Sequence, residues 1–108
     1  MTSRVLCHDG PLAHDPVPPE QVRAGEPTTA VWEAPIAELA CGLWEHGVGV
    51  SMDTEVREVF VVLSGRARIE IDGQEPLHIG PGDVVELAAG ARTVWHVDET
   101  LRKFWVAL

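Results

Sequence analysis

Asp53, Glu55 and Glu58 fall within six residues of one another. Oxygen donors so grouped suit a hard cation such as manganese or magnesium, with His46 or His78 as a further donor. Strand alternation, however, sets Asp53 and Glu55 on one face and Glu58 on the other unless a bulge intervenes. Glu58 also shares a face with Phe60 and Val62, which makes it a carboxylate at the edge of an apolar, aromatic interior. A carboxylate there needs either a proton or a paired cation, and Lys103 is the candidate partner. In that setting Glu58 is the candidate general acid or base, or the anchor for a polar ligand group.

Other pairings are weaker. Cys41 and His46 lie five residues apart, as a nucleophilic pair or half a zinc site would, but no further ligand stands at a recognisable spacing. Cysteine inside the run LACGLW reads better as a small buried apolar residue. His8 and His14, beside Asp9 and Asp15, sit among prolines that point to an exposed arm. The four tryptophans, Trp32, Trp44, Trp95 and Trp105, bring large apolar area and an N–H that needs a partner, and core packing is their default role.

The elements that must position these groups are strands. A chain of 108 residues suits one compact domain. Short β-type runs separated by glycine and aspartate follow Glu38: ELACGLWEH, EVFVVLSG, ARIEIDG, LHIG, DVVELAAG, RTVWHVD and LRKFWVAL. Ala67, Ile69 and Ile71 alternate with Arg68, Glu70 and Asp72, and Asp72-Gly73 suits a tight hairpin. No segment holds a helical period, so the fold class is all-β, a sandwich or barrel. Residues 1–29 form an extended, proline-rich N-terminal arm and 30–108 the main domain, with Thr28 to Trp32 the best early strand.

A net charge of −9 disfavours a phosphate-tracking surface, so nucleic acid is not an expected partner. No apolar run reaches bilayer length and the start carries no signal-peptide core, so no membrane partner and a cytoplasmic location are expected. Cys7 and Cys41 are expected as free thiols.

Glu58-Val-Phe-Val-Val-Leu-Ser-Gly65, then Gly80-Pro-Gly-Asp83 and Gly90, resemble the paired motifs of the cupin superfamily. Those motifs run as a glutamate, six residues and a hairpin glycine, then a Pro-Gly-Asp turn, then a proline and glycine ahead of a histidine. The stretch from Gly90 to Trp105, with Gly42-Leu-Trp44-Glu45, is similar more narrowly to ureidoglycine aminohydrolase-like cupins. The resemblance covers about residues 30 to 108 and implies a small jelly-roll β-barrel. It also implies a metal site of two histidines, the glutamate and a later histidine, which this sequence breaks. The histidine pair falls on Ser51 and Asp53, Met52 and Thr54, or Asp53 and Glu55, depending on register, and the last ligand position is Thr93. Only Glu58 remains of the set.

These readings converge on a small cupin that binds a polar metabolite in its barrel. Glu58 is the catalytic carboxylate if there is catalysis, and Phe60, Thr93, Trp95 and Lys103 are the substrate-binding residues. Arg57 or Arg92 stand as alternative charge complements for an anionic ligand. No cofactor is expected. If a divalent metal binds, its ligands are Glu58, Asp53, Glu55 and His46. Two alternatives stand beside this reading: a manganese, zinc, iron or nickel enzyme similar to ureidoglycine aminohydrolase, and a non-enzymatic dimerisation module with a filled interior. Because cupins commonly pair their sheets across a two-fold axis, a homodimer is expected.

Overall fold

A computed structural model describes residues 2–108. Its strands are β1 (Asp15–Pro16), β2 (Val22–Ala24), β3 (Thr28–Glu33), β4 (Cys41–His46), β5 (Gly49–Thr54), β6 (Glu58–Ile71), β7 (Leu77–Ile79), β8 (Val84–Leu87) and β9 (Arg92–Ala107), with one short 3-10 turn at Pro19–Gln21. All pair antiparallel in a single sheet that curls over on itself, as the cupin jelly roll requires.

Two long bent strands make the curl. The second half of β9 pairs with β4 through Cys41↔Val106 to His46↔Leu101, and its first half pairs with β5 through Gly49↔Val97 to Thr54↔Arg92. Strand β6 follows β9 along its whole length, from Glu58↔Ala107 to Ile71↔Thr93. One half of the fold is therefore β1-β3-β4-β9-β6-β8 and the other β2-β5-β9-β6-β7. The interior faces close on Phe60, Val62, Ala67, Ile69, Trp95 and Leu101, all buried.

The bend in β6 explains one glycine. Register shifts between Val62 and Ala67, and Gly65 there has φ +88. A Cβ on it would lie 2.2 Å from the Thr100 carbonyl oxygen and 2.7 Å from Leu101 Cα, so only glycine lets the two long strands cross this closely. The sequence motif suggests a hairpin glycine at this position. It sits instead at a corner inside one strand, and EVFVVLSG and ARIEIDG are that single strand. RTVWHVD and LRKFWVAL are likewise continuous as β9, because nothing in Asp98-Glu99-Thr100 breaks an exposed extended backbone.

The turns follow their chemistry. Gly82 has φ +89 after Pro81, Asp83 N–H donates to the Gly80 carbonyl at 3.1 Å, and the Asp83 carboxylate accepts from Gly80 N–H at 2.8 Å. The hairpin between β6 and β7 places Gly73 at φ +80. Within the arm, β1 lies along β3 and β2 along β5, so the arm extends both edges of its own sheet. Strand β5 has no counterpart among the runs read from the sequence, since Ser51-Met-Asp-Thr54 lacks the apolar alternation that marks the others.

Candidate functional site

Between the two halves lies an open cavity of about 400 Å³. Its wall is set by strand parity. Trp44 and His46 face inward from β4, Ser51 from β5, Glu58 from the start of β6, and Trp95, Lys103 and Trp105 from β9. Cys41, five residues from His46 and so of opposite parity, lies outside it, which excludes a Cys41–His46 pair.

Lys103 is the only lysine in the chain, and it is 4 % exposed. Its Nζ donates to Glu58 Oε1 at 2.5 Å and lies 4.5, 4.3 and 5.0 Å from the ring centroids of Trp44, Phe60 and Trp95. An ammonium without water requires such compensation: one opposite charge, with aromatic faces supplying the remaining negative potential. The Trp44 and Trp95 rings meet at 5.3 Å, tilted by 58°.

A second polar group sits at the mouth. Glu55 Oε1 accepts from Thr93 Oγ1 at 3.0 Å and from Trp95 Nε1 at 3.3 Å. Burial, and then the negative charge of Asp53, raise the Glu55 pKa above its ordinary value. The third group is His46, 1 % exposed, whose Nδ1 lies 2.6 Å from the Gly47 carbonyl and whose Nε2 lies 2.7 Å from Ser51 Oγ. Burial lowers its pKa, which favours the neutral ring.

Among the residues singled out by sequence, Glu58, Lys103 and Trp95 meet at this cavity, together with His46, Asp53 and Glu55 of the metal alternative. Phe60 lies behind the wall beneath Lys103, and Thr93, 2 % exposed, stands behind it as a hydrogen-bond partner of Glu55 and Trp95. Arg57 and Arg92 point elsewhere, paired at the surface with Glu86 and Asp72. His96 lies half-buried on the outer face beside Glu70, as alternation predicts, and exposed His78 is on β7 away from the cavity. His14 binds Thr28 and Glu45 and takes no part either.

Parity misleads over the acidic trio. Strand β5 ends at Thr54 and β6 begins at Glu58, so the connecting loop resets the alternation and Asp53, Glu55 and Glu58 all line the one cavity. Sequence reasoning passed over Trp44, Trp105 and Ser51 as wall residues. The signal for Trp44 was its shared parity with His46, and for Ser51 its place at a lost ligand position.

The EutQ-like cupin domain family matches residues 33–105. The chain belongs to that family. The match names the EutQ-like cupins and not the ureidoglycine aminohydrolase-like branch. The EutQ protein of Clostridium difficile has a similar structure, with TM-score 0.66 and 21% identity over 75% of this chain and 68% of that one. A DUF861 family protein of Thermotoga maritima gives TM-score 0.58 and 25% identity over 61% and 76% of the two chains. A DUF861 protein of unknown function from Pseudomonas syringae gives TM-score 0.74 and 21% identity over 92% of this chain but 45% of its own. Comparison with curated proteins finds no match.

The metal that cupins commonly carry can be tested against this EutQ-like cavity. The one surviving ligand, Glu58, faces an ammonium at 2.5 Å, and the free lone pair of His46 is engaged by Ser51. Glu55 is tied to Thr93 and Trp95. A divalent ion at Glu58 would confront Lys103 at contact distance, so the donors as arranged do not fit one.

Proposed function

We propose that this EutQ-like cupin binds a small polar metabolite in the cavity, with the Glu58–Lys103 pair as its polar hold and the indoles of Trp44, Trp95 and Trp105 as its walls. The single observation behind this reading is the burial of the chain's only lysine at the cavity wall, paired to a carboxylate and ringed by aromatics. A fixed ion pair of that kind presents a donor and an acceptor side by side to a ligand that brings the complementary pair. A volume of about 400 Å³ lies within the range of small-molecule sites and speaks for binding over a filled, dimerisation-only interior.

The test is a metabolite panel read by tryptophan fluorescence and thermal shift, repeated on Glu58→Gln. Loss of the hit's affinity in the variant supports the reading, and a variant that binds as tightly as the parent removes its basis.

Three carboxylates lining the cavity are the one feature on the side of the alternative, a metal-dependent enzyme like ureidoglycine aminohydrolase, and the Lys103 ammonium on Glu58 stands against it. A stoichiometric ion in protein purified without tag or chelator would select it.

The reading includes a homodimer. Trp32, Leu43, Phe104, Val61 and Val84 are successive cross-strand partners on the outer face of the β3-β4-β9-β6-β8 layer, and Phe104 and Val84 are 37 % and 71 % exposed. An apolar row of this kind suits sheet-on-sheet packing against its own copy. A cytoplasmic location accords with the exposed free thiol of Cys7. Among the described residues no helix is long and apolar enough to cross a membrane.

A further inference from the structure

We propose that Ser51, activated by His46, is a nucleophile that takes the acyl group of a small ester or thioester bound in the cavity. This goes beyond metabolite binding and rests on that reading only in requiring that small molecules reach the same cavity.

The argument starts from direction. A backbone carbonyl can only accept, so the contact of 2.6 Å between His46 Nδ1 and Gly47 O puts the proton on Nδ1. In the neutral ring that burial favours, Nε2 then carries the lone pair and the Ser51 hydroxyl at 2.7 Å donates to it. That is the arrangement of an activated nucleophile: hydroxyl to base, and base oriented by a third group, here the Gly47 carbonyl.

The hairpin between β4 and β5 builds it locally. His46 ends one strand, Ser51 lies in the next, and both side chains face the cavity rather than the packed core. His46 is 1 % and Ser51 7 % exposed, so bulk water does not compete for the hydrogen bond while the hydroxyl still borders open space. A serine that merely satisfied a buried histidine would need no cavity beside it.

The step balances with water as co-reactant. Ser51 Oγ bonds to the acyl carbon as its proton passes to His46 Nε2. The bond to the leaving oxygen or sulfur breaks, and the leaving group takes that proton. Water then attacks the acyl-serine, giving a proton to Nε2, which returns it to Ser51 Oγ as the carboxylic acid departs.

p-Nitrophenyl acetate tests this on the full chain. The expected result is a nitrophenolate burst and an acetyl group mapped by peptide mass spectrometry to Ser51. Ser51→Ala should abolish that adduct, and His46→Asn should slow its formation by about a hundredfold or more. Ser51→Cys should restore labelling if the Ala variant folds poorly. Acetylation confined to Lys103, Cys7 or the N-terminus, or a burst that survives Ser51→Ala, overturns the proposal. Tryptophan quenching by a bound metabolite in the same preparation keeps the two readings apart: binding without a Ser51 adduct sinks the nucleophile alone, and absence of both sinks the binding site too.

Discussion

Replacing Lys103 by Met tests the centre of the site. The substitution keeps the length of the side chain among Trp44, Phe60 and Trp95 but leaves Glu58, 9 % exposed, with no partner for its charge. Breaking a buried pair by removing one member costs about 3–5 kcal/mol. At roughly 4–8 °C per kcal/mol for a domain near this size, the melting midpoint should fall by about 12 °C or more. The loss has a signature beyond its size. Glu58→Leu in the same chain should recover most of it, since replacing both members of a buried pair by apolar groups is often neutral. Urea titrations followed by tryptophan fluorescence for the parent, both single variants and the double variant give the coupling directly. A Lys103→Met protein within about 1 kcal/mol of the parent, or a double variant no better than the singles, would show that the pair is not buried as described.

Further outcomes follow from other parts of the fold. Because Glu55 has a raised pKa in the folded state, the folded protein keeps that proton to higher pH than the unfolded chain, so its stabilising effect is full below the ordinary carboxylate value and is lost as pH rises through the folded value. Glu55→Gln should flatten that part of the stability profile measured by urea titration between acid and neutral pH, and an unchanged slope would count against it. Gly65→Ala should destabilise by about 2 kcal/mol or more, since the residue needs a positive φ and its Cβ would meet the Thr100 carbonyl. A melting temperature equal to the parent's would refute the close crossing. Phe104→Lys should shift sedimentation from dimer to monomer, and an unchanged coefficient would place any interface elsewhere.

What the sequence revealed depended on range. Local parity put Glu58, Phe60 and Val62 on one face and Thr93, Trp95 and Val97 on another, and all six are buried on the inner side. Pro81-Gly82-Asp83 made its turn from its own chemistry. The motif order pointed to a cupin, and the family match bears that out. Parity failed where it was carried across a loop, as with Asp53, Glu55 and Glu58, because three non-strand residues erase the phase. It also could not show that β6 and β9 each continue through a corner, since a bend held by a close backbone crossing leaves only one glycine as its trace. The contact between His46 and Ser51 was equally hidden. Nothing in SMDT marks a strand, so no face could be assigned to the serine.

The pairing of β6 with β9 also governs when the site can exist. Glu58 pairs with Ala107 and Val62 with Lys103, partners more than forty positions apart along the chain. No local hairpin brings the carboxylate to its ammonium; a loop of that length must close first, and its entropy is lost before the buried pair returns anything. Topologies dominated by such distant pairings fold in roughly milliseconds to seconds, slower than helical domains of equal size. A nascent chain has no cavity until β9 has emerged, and until then the indole of Trp44 is open to whatever it meets.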